Sequence, residues 1–133
     1  MEYLSPHFWV AFAVASFLAI VFLQSGLDKA LDFSGNRAYL EELFQGSPLS
    51  GTVGPLLVCV TLFEIAAGAF SALGVAVLVF GGGAAVAYFG AILSAIALLM
   101  VLFGQRLAKA YADAAVIAPY FLVSCLGIYI LGY

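Results

Sequence analysis

Of 133 residues, 66% are apolar and 8% carry a formal charge, against about 25% charged in an ordinary soluble domain. Four basic and seven acidic side chains are too few to coat a soluble globule of this length, and the mean hydropathy of +1.21 assigns most of the surface to hydrocarbon. The net charge of -3 comes without clustered lysine or arginine, which excludes a nucleic-acid-binding face.

Phe8 to Leu27 is the first charge-free block of spanning length. A helix rises about 1.5 Å per residue, so a hydrocarbon core of about 30 Å needs about 20 residues. The block lacks a basic start and no small-residue cleavage site follows it, so it is expected to be a span and not a cleaved leader. Asp28 to Thr52 is the long polar stretch, holding Asp28, Lys29, Asp32, Arg37, Glu41 and Glu42. Within it, residues 36–45 predict a short amphipathic helix, because Tyr39, Leu40, Leu43 and Phe44 fall on one face. Ser34 or Asn36 is expected to cap its start, Gly46-Ser47-Pro48 to end it, and the helix to lie flat at the membrane interface.

Leu56 to Phe80 is the second block, interrupted by Glu64, and Gly81-Gly82-Gly83 suffices for a tight hairpin after it. Ala84 to Phe103 is the third, and Ala114 to Leu131 the fourth, both uncharged. Gly104 to Asp113 separates them and carries Gln105, Arg106, Lys109 and Asp113. The blocks are continuously apolar, whereas barrel strands alternate, so helices are expected. The predicted fold is an all-α membrane protein. It is a single domain over 1–133, a four-transmembrane-helix bundle (up-down-up-down) with a short amphipathic interfacial helix between spans one and two.

An even number of spans places both termini on one side and the loops 28–52 and 104–113 on the other. All four basic residues (Lys29, Arg37, Arg106 and Lys109) then share one face, which the positive-inside rule makes cytoplasmic. Small residues every fourth position mark close helix contacts in lipid. Such stripes are Ala11, Ala15 and Ala19; Gly68, Ala72 and Ala76, in line with Glu64; and Ala87, Ala91 and Ala95, flanked by Gly90 and Ser94. They predict a tight bundle with little central volume.

Gln24-Ser25-Gly26-Leu27-Asp28-Lys29 closes the first span, and the turn Gly46-Ser47-Pro48 follows the short helix. Phe63-Glu64 precedes Gly68 and Gly74, and Phe103-Gly104-Gln105-Arg106-Leu107-Ala108-Lys109 closes the third span. Across essentially its whole length the chain resembles the DoxX family of small four-span bacterial membrane proteins. The resemblance implies membership in membrane oxidoreductase systems, one branch being similar to a subunit of a thiosulfate:quinone oxidoreductase. Many relatives place basic residues at the N-terminus and between spans two and three, where this chain has none.

Glu64 sits about eight residues into its block, roughly 12 Å deep, and an ionised carboxylate there needs a partner or a proton. Gln24, Lys29, Glu64, Arg106, Lys109 and Tyr120 are the candidates for one polar pocket that holds a lipid or quinone headgroup or relays a proton. The alternative is that Glu64 and one cation lock two helices together. For Lys29 and Arg37 taken alone, anchoring at the interface is the simpler role, and Glu41 and Glu42 suit the wet face of the short helix.

Cys59 and Cys125 lie in different blocks with no Cys-x-x-Cys, so a thiol-redox centre is not expected and both are assigned as small apolar packing residues. With His7 the one histidine, neither bis-His haem ligation nor a Ser-His-Asp triad is expected, and no metal site is assigned. A transporter is disfavoured, because spans one and three lack the breaks that build a midplane site. The function expected from the sequence is an accessory, structural subunit of a larger respiratory or photosynthetic electron-transfer complex in the bacterial inner membrane. It would carry no redox centre and no catalysis of its own, with membrane lipids and other membrane subunits as partners. The alternative is a small quinone-interacting oxidoreductase component with a polar pocket around Glu64.

Overall fold

The computed structural model describes residues 5–132, so residues 1–4 and 133 of the predicted domain lie outside the description. It is all-helical: α1 (Pro6–Leu31), α2 (Phe33–Leu43), α3 (Val53–Val79), α4 (Ala85–Leu107) and α5 (Tyr111–Leu131). α1, α3, α4 and α5 are long and apolar enough to cross a membrane, at 26, 27, 23 and 21 residues. Large apolar side chains such as Ile20, Leu62, Leu73 and Leu122 point outward, while many alanines, glycines and serines share the interior with Phe8, Leu18, Phe22 and Leu78. That inversion suits hydrocarbon as the surrounding solvent.

Around the bundle, α3 packs between α1 and α4, and α5 closes the circuit against α4 and α1. α1 also touches α4 across the middle, whereas α3 and α5 do not meet, so the cross-section is a flattened rhombus. Small side chains are prominent on these helices: Ala11 and Ala15 of α1, and Ala87 and Ala91 of α4, are fully or almost fully buried. Ala87 packs directly on Gly74 of α3, where the missing side chain lets the two backbones approach.

Each spanning helix extends past its apolar block. α1 runs to Leu31, so Asp28 and Lys29 are helical, and α4 runs to Leu107, which takes in Gln105 and Arg106. α3 begins at Val53 and α5 at Tyr111, leaving residues 108–110 as the whole α4–α5 turn. Charge ends the hydrophobic block but does not interrupt the backbone hydrogen-bond ladder, so the helix continues into the interfacial layer. At the other end, Ser5 Oγ accepts a hydrogen bond of 3.1 Å from the Phe8 amide, with Pro6 in the first turn. Ser5→Ala is expected to cost about 1 kcal/mol, read as a lower unfolding midpoint in detergent.

The interfacial helix differs from its predicted bounds of 36–45. It spans Phe33–Leu43, and neither Ser34 nor Asn36 caps it. The chain scarcely leaves α1 before turning into α2: the Asp32 amide donates to Asp28 O at 3.0 Å, and Asp32 O accepts from the Asn36 amide at 3.1 Å. Asp32 is therefore a kink shared by two helices. Asn36 Nδ2 adds a second bond to the same carbonyl at 2.9 Å.

The stripe on α3 also departs from its prediction. Gly68 is buried, but Ala72 is half-buried and Ala76 exposed; the buried line runs Glu64, Gly68, Ser71, Gly74, Leu78. Steps of four drift around a 3.6-residue helix, about 120° over the twelve residues from 64 to 76, so a long interface must mix threes with fours. The stripes on α1 and α4, of the same length, stay buried. Cys59 and Cys125, assigned to packing, are both exposed on the outer surface. Between α3 and α4 the triple glycine makes the tight turn, with Gly81 and Gly83 at φ 80 and 93, a region that glycine enters without a steric penalty.

Candidate functional site

Two glycines build the seam that carries the site. A Cβ added at Gly26 would lie 2.7 Å from Ile65 Cγ1 and 3.0 Å from Ile65 N, and one at Gly68 would lie 2.6 Å from Leu23 N. With no side chain at either position, the backbones of α1 and α3 come together. Lys29, one turn beyond Gly26, then meets Glu64, one turn before Gly68.

Lys29 Nζ lies 3.1 Å from Glu64 Oε1. It donates to Oε2 at 3.4 Å and to Ser25 Oγ, one turn back on its own helix, at 2.8 Å. Glu64 is 3% exposed and its Oε1, though close to the ammonium, receives no aligned hydrogen bond. Charge thus holds the pair more than directional bonding does. A carboxylate this deep is stable only because the ammonium offsets its desolvation. Lys29 keeps 22% of its side chain accessible against 4% for Glu64, so the pair has a buried acidic end and an open basic end.

The basic end forms part of the wall of a cavity of about 380 Å³ between α2, the start of α3 and the end of α4. Leu40 of α2 and Phe44 just after it line the cavity on one side, and Leu57, Val60 and Met100 line it from α3 and α4. The residues with polar side chains in the wall besides Lys29 are Asn36, Tyr39, Gln105 and Asp113. Gln105 Oε1 is buried and accepts no hydrogen bond. Lysine has three N–H donors, and protein groups engage them through Ser25 and Glu64 alone. The cavity therefore combines an apolar interior with a few polar wall groups, among them the Lys29 ammonium.

Of the six residues expected to converge, the structure brings Lys29 and Glu64 into contact. Gln24 is exposed; five residues before Lys29, it points about 140° away around α1. Arg106 is exposed, with its guanidinium 4.7 Å from the centroid of the Tyr111 ring, bracing the α4–α5 turn. Lys109, exposed at φ 61, shapes that same turn. Tyr120 stacks on Phe17 at 5.8 Å and 29° in the α1–α5 seam, and α5 does not reach α3. Ser25, Asn36 and Gln105 were not foreseen. Ser25 stands four residues before Lys29, a readable i,i+4 pair, whereas Gln105 becomes visible only once α4 is known to continue past Phe103.

Among the described residues, no group of three or more His, Cys, Asp or Glu side chains is placed to hold a metal ion. Cys59 and Cys125 belong to α3 and α5, whose Cα atoms nowhere come within 8 Å of each other. Comparison with known protein families, with curated proteins and with solved structures gives no match in any of the three.

Proposed function

We propose that this chain is an accessory integral-membrane subunit that seats a membrane-dissolved amphiphile, a lipid or quinone, within a larger electron-transfer assembly. The observation that carries the reading is the apolar cavity under α2 with the open end of the Lys29–Glu64 pair in its wall. An apolar interior with a few convergent polar groups is the usual form of a small-molecule site. The resemblance to the DoxX family supports the electron-transfer setting, with redox chemistry supplied by partner subunits and no catalysis by this chain alone. The membrane is the bacterial inner membrane. The cavity end, which carries Lys29, Arg37, Arg106 and Lys109, faces the cytoplasm by the positive-inside rule.

Mild-detergent extraction, native electrophoresis and mass spectrometry of the co-migrating band test the assembly. Co-migration with cytochromes or reaction-centre subunits is the expected result. Migration alone, near 13.9 kDa plus detergent, overturns the accessory role. Extraction of bound amphiphile from the purified chain tests the cavity. Leu40→Trp, which fills the space under α2, is expected to empty it at least ten-fold; an unchanged load in that variant removes the cavity as the binding site.

A further inference from the structure

α2 forms one wall of the cavity, yet none of its own residues is buried. At its start it is tied to α1 through Asp32, whose carbonyl accepts both the amide and the side-chain Nδ2 of Asn36. Half-way along, the Arg37 guanidinium lies over the first turn of α3, with Cζ 3.2 Å from where a Cβ on Gly54 would stand. Arg37 pairs with Glu41 in the open, at 53% and 55% exposure, so this contact holds α2 weakly. The far end is different. Phe44, directly after α2, is 7% exposed, and its ring reaches α4, with Cζ 3.4 Å from the Cβ position of Gly104.

We propose that α2 is a hinged flap that pivots at Asp32, is latched shut by Phe44 and admits an amphiphile to the cavity. The flap stands on this geometry; its role as an entry rests on reading the cavity as a ligand site. Segments with few buried apolar contacts open at the least cost, and α2 meets that description up to its last residue. Beyond Phe44 the chain returns to α3 through local turns: Ser47 N to Phe44 O at 2.9 Å, Ser50 N to Ser47 O at 3.1 Å, Thr52 N to Leu49 O at 3.0 Å. Gly46 and Gly51, at φ 78 and 88, stand there with nothing within 4 Å of an added Cβ. Glycine joints in open space let that return follow a moving helix. Lifting the far end parts α2 from α4. The exposed wall residues of those two helices are Tyr39 and Phe103, at 57% and 63%. An aromatic rim of this kind belongs at the bilayer interface, so the occupant arrives from the membrane and not from water.

The test measures spin-label distances on the full chain in phosphatidylcholine nanodiscs, with Cys59→Ala and Cys125→Ala as background. One pair, Glu42→Cys with Leu122→Cys, reports the far end of α2 against α5. The control pair, Leu62→Cys with Leu122→Cys, spans the outer faces of α3 and α5; Leu62 and Leu122 are 62% and 68% exposed. Burial of a phenylalanine ring is worth about a factor of ten or more in such an equilibrium. Phe44→Ala is therefore expected to raise a second, shifted Glu42–Leu122 population at least ten-fold and to leave the control pair unchanged. It is also expected to shed bound amphiphile at least ten-fold faster during detergent washing. An unchanged Glu42–Leu122 distribution in Phe44→Ala overturns the flap. Equal broadening at both pairs means that the whole bundle has loosened, and overturns Phe44 as a latch for α2. A shifted population with amphiphile lost no faster overturns α2 as the entry. Absence of amphiphile from the wild-type chain overturns the ligand-site reading, while the distances still decide the flap.

Discussion

Lys29→Met is expected to destabilise the bundle by about 3–5 kcal/mol, the range seen when one partner of a buried ion pair is removed. The expectation follows from the asymmetry of the pair. Glu64 is 3% exposed, and in the variant its carboxylate would have neither a cation nor, on Oε1, an aligned hydrogen bond. Glu64→Gln is expected to cost less, about 1–3 kcal/mol, because Lys29 retains Ser25 Oγ at 2.8 Å and can swing its partly open side chain towards the interface. The double variant Lys29→Met/Glu64→Leu is expected to recover most of the loss, since apolar replacement of a whole buried pair is often neutral or better. Reversible unfolding in mixed micelles measures all three. A Lys29→Met loss below about 1 kcal/mol, the range of an exposed pair, overturns the claim that the ammonium supports a buried charge. Glu64→Gln also separates two roles of the pair: loss of bound amphiphile with assembly intact points to binding, whereas loss of assembly points to a helix lock.

What could be read from the chain follows from how far each signal acts. Spans were legible because hydrocarbon excludes charge from long apolar runs, and Phe8 to Leu27 and Ala84 to Phe103 carry none. Their ends were not, since helix hydrogen bonding continues where hydrophobicity stops, and α1 carries Asp28 and Lys29 inside its last turns. The start of α2 was placed late for a related reason. Ser34 and Asn36 look like caps, but a cap is needed only where a ladder begins anew, and Asp32 joins two ladders. In the site, Glu64 was legible as a buried carboxylate in need of a partner, but Lys29, Arg106 and Lys109 were equal candidates for it, because all three lie at the same end of the spans. Tyr120 was not separable from them by depth alone, because depth says nothing of rotation around the bundle, and it faces Phe17. Gln24 failed on rotation as well. The cavity under α2 was not legible at all, because it is a space between three helices and no single segment encodes it.

The other large effect is expected where α3 crosses α4. A Cβ at Gly74 would lie 2.5 Å from both Cα and Cβ of Ala87 and 2.6 Å from its amide nitrogen. These are backbone atoms and a methyl, so no rotamer change relieves the clash; the helices must separate. One helical turn along the same contact, a Cβ at Gly90 would meet Ser71 Oγ at 2.5 Å and Ser71 N at 2.8 Å. Ser71 is fully buried and its hydroxyl finds no hydrogen-bond partner, so close backbone packing is worth more here than satisfaction of that group. Gly74→Val is therefore expected to cost about 3 kcal/mol, the upper end for overpacking a tight interior, with β-branching adding strain against its own helix. Gly104→Ala provides the contrast. Its Cβ would meet Phe44 Cζ alone, at 3.4 Å, an ordinary contact, so relief of the glycine penalty should raise stability by about 0.5–1 kcal/mol. Unfolding midpoints of the two variants in the same detergent decide the matter. Opposite shifts mean that the bundle is held by backbone proximity at a few small residues. A Gly74→Val protein as stable as the wild type would mean that α3 and α4 can part without loss, and that another seam carries the fold.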